Sequence, residues 1–120
     1  MLTMTFKRPF VLFSYRLSHG LLLLRSAKSP AQPKRIDVLF QDVRAIECRT
    51  DFADLLIEEV GPEFLEGVRS KAREVIEPGH RVYSLRSGNW LGFVVGGIVS
   101  QHEDEGDFFT PSALLTSSSA

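Results

Sequence analysis

The chain has a single cysteine, Cys48. A disulfide framework is therefore excluded, and a cysteine-based zinc site has too few thiolates to form. One thiol suits a reducing compartment. Cys48 lies in an alternating apolar run with no histidine near it in sequence. It reads as a small packing side chain rather than a nucleophile.

Long apolar runs are also missing. None approaches the ~18–20 residues of a membrane-crossing helix. Lys7 and Arg8 do precede an apolar stretch at 10–13, in the manner of a signal peptide. Arg16 and His19 break it early, and no small-residue cleavage site follows. The expectation is a soluble, cytoplasmic protein with no membrane partner.

The chain has little net charge, formally −1 at pH 7. It is unevenly placed: residues 1–49 carry nine basic and three acidic side chains, residues 50–120 five and twelve. Such asymmetry can mark an interaction surface, unless folding interleaves the halves. A slightly acidic chain whose aromatics alternate inward argues against nucleic acid as a partner.

What remains describes a globular chain. Hydrophobic residues make up 43% and charged residues 24% of 120 positions, which suits one packed core. One domain is expected over 1–115, with a disordered tail over 116–120. Residues 10–17 alternate as a strand, with Val11, Phe13, Tyr15 and Leu17 on one face. A turn at 18–20 ends on Gly20, which can take positive φ. Four leucines at 21–24 make the return strand apolar on both faces and therefore central. Residues 26–34 form a polar loop. Strands follow at 35–40, at 43–49 with Ile46 and Cys48 inward, and at 55–60. After a turn at 87–89, a long strand at 90–101 holds Gly96-Gly97, a pair that predicts a bulge or bend letting the sheet begin to close. Residues 108–115 read as a short edge strand.

One helix is expected over 62–77. Pro62 takes the first helical position, and Glu63 and Glu66 suit the positive end of the dipole. Arg69, Lys71 and Arg73 suit the other end. Phe64, Leu65, Val68, Ala72, Val75 and Ile76 make an apolar stripe, and Pro78-Gly79 ends it. The fold class that follows is α+β: a curved antiparallel sheet of about six to seven strands with one packed helix. The order of hairpin, polar loop, meander and helix resembles the layout of pleckstrin-homology domains. Those end on their helix, whereas a long strand follows here, and no motif carries over.

No residue set supports a catalytic, cofactor or metal assignment. His102, Glu103, Asp104, Glu105 and Asp107 form an acidic turn whose spacing does not match a calcium loop. Ser18-His19-Gly20 lacks the strand–nucleophile–helix setting of a hydrolase elbow. The remaining feature is a run of acids leading into the helix: Asp51, Asp54, Glu58, Glu59, Glu63 and Glu66. The leading expectation is a non-catalytic interaction module, inhibitor- or immunity-like, that engages a basic protein through this surface. The alternative is a small ligand-binding protein or enzyme with a pocket between helix and sheet, using Arg16, His80 and Tyr83. Edge strands near Phe10 and Phe108 would allow a homodimer.

Overall fold

Alternation of apolar and polar residues makes strands of most of the chain. The computed structural model describes residues 2–118. In order they form β1 (Thr3–Phe6), β2 (Phe10–Arg16), β3 (Leu21–Ser26), β4 (Arg35–Phe40), β5 (Ala45–Glu47), β6 (Asp51–Phe52), β7 (Leu55–Val60), β8 (Arg81–Ser87), β9 (Trp90–Gly96), β10 (Val99–Asp104) and a short helix, α1 (Ala113–Ser118). The turn at 18–20 forms with Gly20 at φ 56°. A Cβ there would lie 2.7 Å from the Val43 backbone nitrogen, so only glycine fits. Of the tail expected over 116–120, residues 116–118 fall within α1, and 119 and 120 lie outside the described residues.

The fold is mostly antiparallel sheet with one short helix, but it is not one curved sheet of six to seven strands. Among the described residues ten strands form two sheets, ordered β1-β7-β8-β9-β5 and β10-β4-β3-β2-β6. The long strand expected at 90–101 explains why. It is interrupted at Gly97 and Ile98, and its halves, β9 and β10, belong to different sheets. The accompanying chain turns the same corner: Gln41 donates to the Ile98 carbonyl, and Gly97 donates back to Gln41. A Cβ on Gly96 would lie 3.2 Å from the Gln41 carbonyl, a tight approach that would press the two chains of the bend apart by a few tenths of an ångström. β1 and β2 make a second corner alongside β6 and β7, with Pro9 directly before the turned strand. Strands that switch sheets in this way make the corners of barrel-like sandwiches. Inside lie Phe10, Leu22, Leu24, Val38, Phe40, Leu55, Ile57, Tyr83, Leu85 and Val94.

Several local expectations need correction. β2 carries a bulge between Leu12 and Ser14, so its residues do not keep one alternation. Phe13 packs with Leu21 and Leu23, while Leu12 packs with the inner core. Only Ala45–Glu47 of the expected 43–49 strand pairs, and Ile46 is exposed. Residues 108–115 form turns and the start of α1 rather than an edge strand. Phe10 is not on an edge either, because β2 pairs with both β3 and β6.

The expected helix over 62–77 is replaced by two 3-10 helices, Pro62–Phe64 and Gly67–Val75. Glu66 between them is extended, and Gly67 has φ 61°, a conformation that interrupts a right-handed helix. The pleckstrin-like layout loses the helix on which it rested. The apolar stripe is used in part. Leu65 is fully buried, and Phe64, Ala72 and Ile76 pack with it on Val82, Phe93 and Val95, the outer face of the first sheet. Val68, at 98% exposure, faces solvent. Arg69 ties the segment down through a two-pronged contact with Glu47 at 2.9 and 3.1 Å. No helix among the described residues is long and apolar enough to cross a membrane.

The outer face of the second sheet is covered by the C-terminal stretch, and the cover is electrostatic as well as apolar. Arg25, Arg35 and Asp37 are each only 1% exposed. Arg25 grips Asp37 at 2.7 and 3.1 Å, stacks 4.1 Å over the Phe13 ring, and donates to the Phe108 carbonyl. Arg35 grips Asp104 at 2.9 and 2.8 Å. It also donates to the carbonyls of Asp107, Thr110 and Pro111. Leu115 closes over Leu21, Leu23 and Leu39 beside them.

Asp104 binds Arg35 and the Gly106 N–H, and the Arg35 contact foremost holds its carboxyl below the usual range. A lowered folded-state value means stability is complete above the unfolded value near ~3.9 and is lost as pH falls through the folded one. Urea unfolding midpoints should therefore stay level from neutrality down to about pH 4 and then fall. Asp104→Asn should cost about 3 kcal/mol at pH 7, because a buried guanidinium loses its two-pronged carboxylate and keeps only the more distant Asp37, 3.9 Å away. It should also flatten the acid limb. An unchanged midpoint and an unchanged acid limb would remove the clamp from the account.

Candidate functional site

The six acids of 51–66 do not gather in one place. β7 lies between the first two and the last two, and its six residues span about 20 Å at roughly 3.3 Å each. Glu58 and Glu59, on β7 itself, point to opposite faces. Glu59 pairs with Arg81 at 3.2 Å, and Glu66 lies 3.9 Å from Arg73. Glu63 is exposed on the first 3-10 helix.

Asp51 and Asp54 do come together. They line an open groove of about 830 Å³ where the two sheets meet, with Arg49, Asn89 and Trp90. The local reason is Phe52. It is buried and pairs with Phe10, which turns its neighbour Asp51 outward. Trp90 stands at the start of β9 and meets Phe52 edge-on at 5.5 Å. Its indole lies against Gly92, where any Cβ would collide with the ring. The Arg49 guanidinium is 6.0 Å from the ring centre. Asp54 accepts a 3.3 Å hydrogen bond from the Ser87 hydroxyl. Among the described residues neither Asp51 nor Asp54 has an ion-pair partner, although ten pairs of a carboxylate with a lysine or arginine form elsewhere.

Arg16, His80 and Tyr83 are not brought together. Arg16 lines a pocket of about 380 Å³ with Phe109 and Pro111. Tyr83 is in the core, and its hydroxyl donates to the Gly97 carbonyl at 2.7 Å. Burial holds that phenol above its ordinary range. His80 has both ring nitrogens engaged: Nδ1 accepts from the Glu77 N–H at 3.0 Å, and Nε2 meets Asp42 at 2.9 Å. The contacts with His80 and then Arg44 lower the Asp42 carboxyl. This is a tie between the 3-10 segment and the β4–β5 corner.

The charge asymmetry is largely consumed by pairing between the halves. Lys28–Asp107, Lys34–Glu105, Arg35–Asp104, Arg44–Glu77 and Glu47–Arg69 all join them. Asp104, Glu105 and Asp107 are thus spoken for by cations. Among the described residues no group of three or more His, Cys, Asp or Glu side chains could hold a metal ion. Trp90 and Arg49 were not among the expected site residues. The available signal was the single tryptophan, placed directly after a Ser-Gly-Asn turn. Comparison with known proteins finds no family model, no curated protein and no solved structure that matches this chain.

Cys48 sits beside the groove residue Arg49 but is packed against the core, and its thiol donates to the Arg49 carbonyl at 3.1 Å. Burial pushes it up to about 11. At pH 8 roughly one thiol in a thousand is then ionised, so labelling with iodoacetamide should run about a hundredfold slower than for an ordinary thiol. It should accelerate to the ordinary rate in urea. Fast labelling of the native protein would show the thiol to be open and ionised.

Proposed function

We propose that the chain is a non-catalytic binding module that takes a cationic side chain of a basic protein partner into the groove of Asp51, Asp54 and Trp90. The observation that carries this reading is the pair of carboxylates without ion-pair partners beside an aromatic ring. A guanidinium or ammonium over an indole face gains about 0.5–2 kcal/mol. Each charge-assisted hydrogen bond to a carboxylate adds about 1.5–3 kcal/mol. Glu58, Glu63 and Glu66 lie outside the groove and contribute at most to the field that draws a basic partner in. An inhibitor- or immunity-like role, in which a small acidic module neutralises a basic enzyme, fits this chemistry. The lone reduced thiol fits a cytoplasmic setting.

Trp90 is the only tryptophan, so its emission reports on the groove alone. Titration with tetra-arginine at low salt should change that emission saturably, and 0.5 M salt should weaken it. Asp51→Asn with Asp54→Asn should raise the dissociation constant at least tenfold, since about 1.4 kcal/mol suffices for that. Tetraglutamate should leave the emission unchanged. A double variant that binds tetra-arginine as well as the parent does would refute this reading.

A further inference from the structure

Two strands leave one side of their backbone unused. β1 pairs only with β7, and β10 pairs only with β4. Among the described residues no hydrogen bond, from backbone or side chain, reaches the outer edge of 3–6 or 99–104. The other two sheet edges differ. β5 and β6 have three and two residues, and β5 has Arg69 laid against Glu47.

The two free edges flank one opening. Leu2 and Thr3, at the start of β1, line the same cavity of about 550 Å³ as Ile98 and Val99, at the start of β10. At the other end, Arg8, two residues past β1, donates at 2.7 Å to the carbonyl of Lys34, the neighbour of Arg35, which pairs with Asp104 at the end of β10. Both strands therefore run the same way along the opening. They do not pair with each other. Leu2, Met4 and Phe6 are only half-buried against the core there. On β10, Gln101 and Glu103 share the inward face of Val99, since their partners Val38 and Ile36 belong to the core, yet both are exposed. An inward-facing side chain that meets solvent marks a place where a layer of the wall is missing.

We propose that an extended segment of another protein enters this opening as an added strand, hydrogen-bonded to β1, β10 or both. Unpaired N–H and C=O groups at a strand edge are complementary to an extended backbone, and alternate side chains then set the preference. Next to Met4, Phe6 and Val99 the inward residues of the segment are apolar. Next to Glu103, whose carboxylate has no ion-pair partner among the described residues, the segment carries a lysine or arginine. The site is separate from the groove of Asp51 and Asp54 and stands without it.

The test is amide hydrogen exchange of the whole chain with a heptapeptide, Lys-Thr-Val-Thr-Val-Thr-Lys, whose valines and lysines share one face, and with the same peptide N-methylated at every residue. The first should slow exchange of edge-facing amides in 3–6, 99–104 or both at least tenfold. The N-methylated form, which cannot complete a ladder, should not. Unchanged exchange at millimolar peptide would overturn the proposal, as would equal protection by both peptides. A Trp90 emission change without edge protection would place the peptide in the groove and also overturn it. Edge protection in the free protein, together with a dimer mass by light scattering, would assign the opening to a second copy of this chain instead.

Discussion

Two arginines buried on the outside of a sheet govern much of this structure. A guanidinium cannot lose its charge and is costly to remove from water. Arg25 and Arg35 are held in place only because Asp37, Asp104 and the carbonyls of residues 107–111 consume their donors. The C-terminal stretch is therefore an obligatory second layer on that sheet. It seals Leu21, Leu23 and Leu39, which is why β3 can be apolar on both faces. Gly106 belongs to the same arrangement, since a Cβ there would come within 2.7 Å of the Arg35 guanidinium carbon. Arg8 works alike at the same end of β3, closing the polar loop through Ser26, Ala27, Gln32 and Lys34.

The strands were legible because alternation and turn chemistry are local. Residues 21–24 declared a central strand, Gly20 and the 87–89 turn declared hairpins, and Gly96-Gly97 declared a bend. The burial of Arg35 and Asp37 was not legible. Alternation separates two faces of a strand, but it assigns the polar face to solvent unless a covering layer is known. That layer arrives about 70 residues later in the chain, and short-range pattern carries no record of it. The bulge in β2 was hidden for a related reason: one inserted residue moves Phe13 outward under Phe108, and the composition of 10–17 reads the same either way.

Residues 62–77 show how local signals can agree with one another and still lose. Proline at the first position, acids early, bases late and an apolar stripe all favour an α-helix. Gly67 adopts positive φ, and the chain takes two short 3-10 helices that lay Leu65, Ala72 and Ile76 flat on the sheet. Tertiary packing of a few side chains outweighs propensities worth tenths of a kcal/mol each, roughly. The acidic run that leads into this segment suffers from the same confusion of sequence proximity with spatial proximity. On a helix, six acids in sixteen residues would form a patch. Along an extended strand they are carried apart, which leaves Asp51 and Asp54 to meet a tryptophan from another strand that no local pattern connects to them.

The open edges follow from the way the sheets are closed. Tracing the ladder from β2 through β3, β4 and β10, round the glycine bend into β9, through the ladder to β8 and β7, and back along the chain into β6, returns to β2. Closure is achieved by two ribbons that turn corners, β4–β5 with β10–β9 and β2–β1 with β6–β7. Each ribbon gives both of its strands to both sheets, but only one strand of the pair can lie inside each sheet. The other must end as an edge. Two ribbons therefore leave four edges, however well the core is packed. Shortness disposes of β5 and β6, because two or three residues offer little ladder. β1 and β10 are longer, and no proline, lysine or bulge guards the 99–104 edge. The same bend that lets the chain enclose its core thus obliges it to present backbone beside that core, and a fold built this way carries a strand-binding opening as a consequence of its topology.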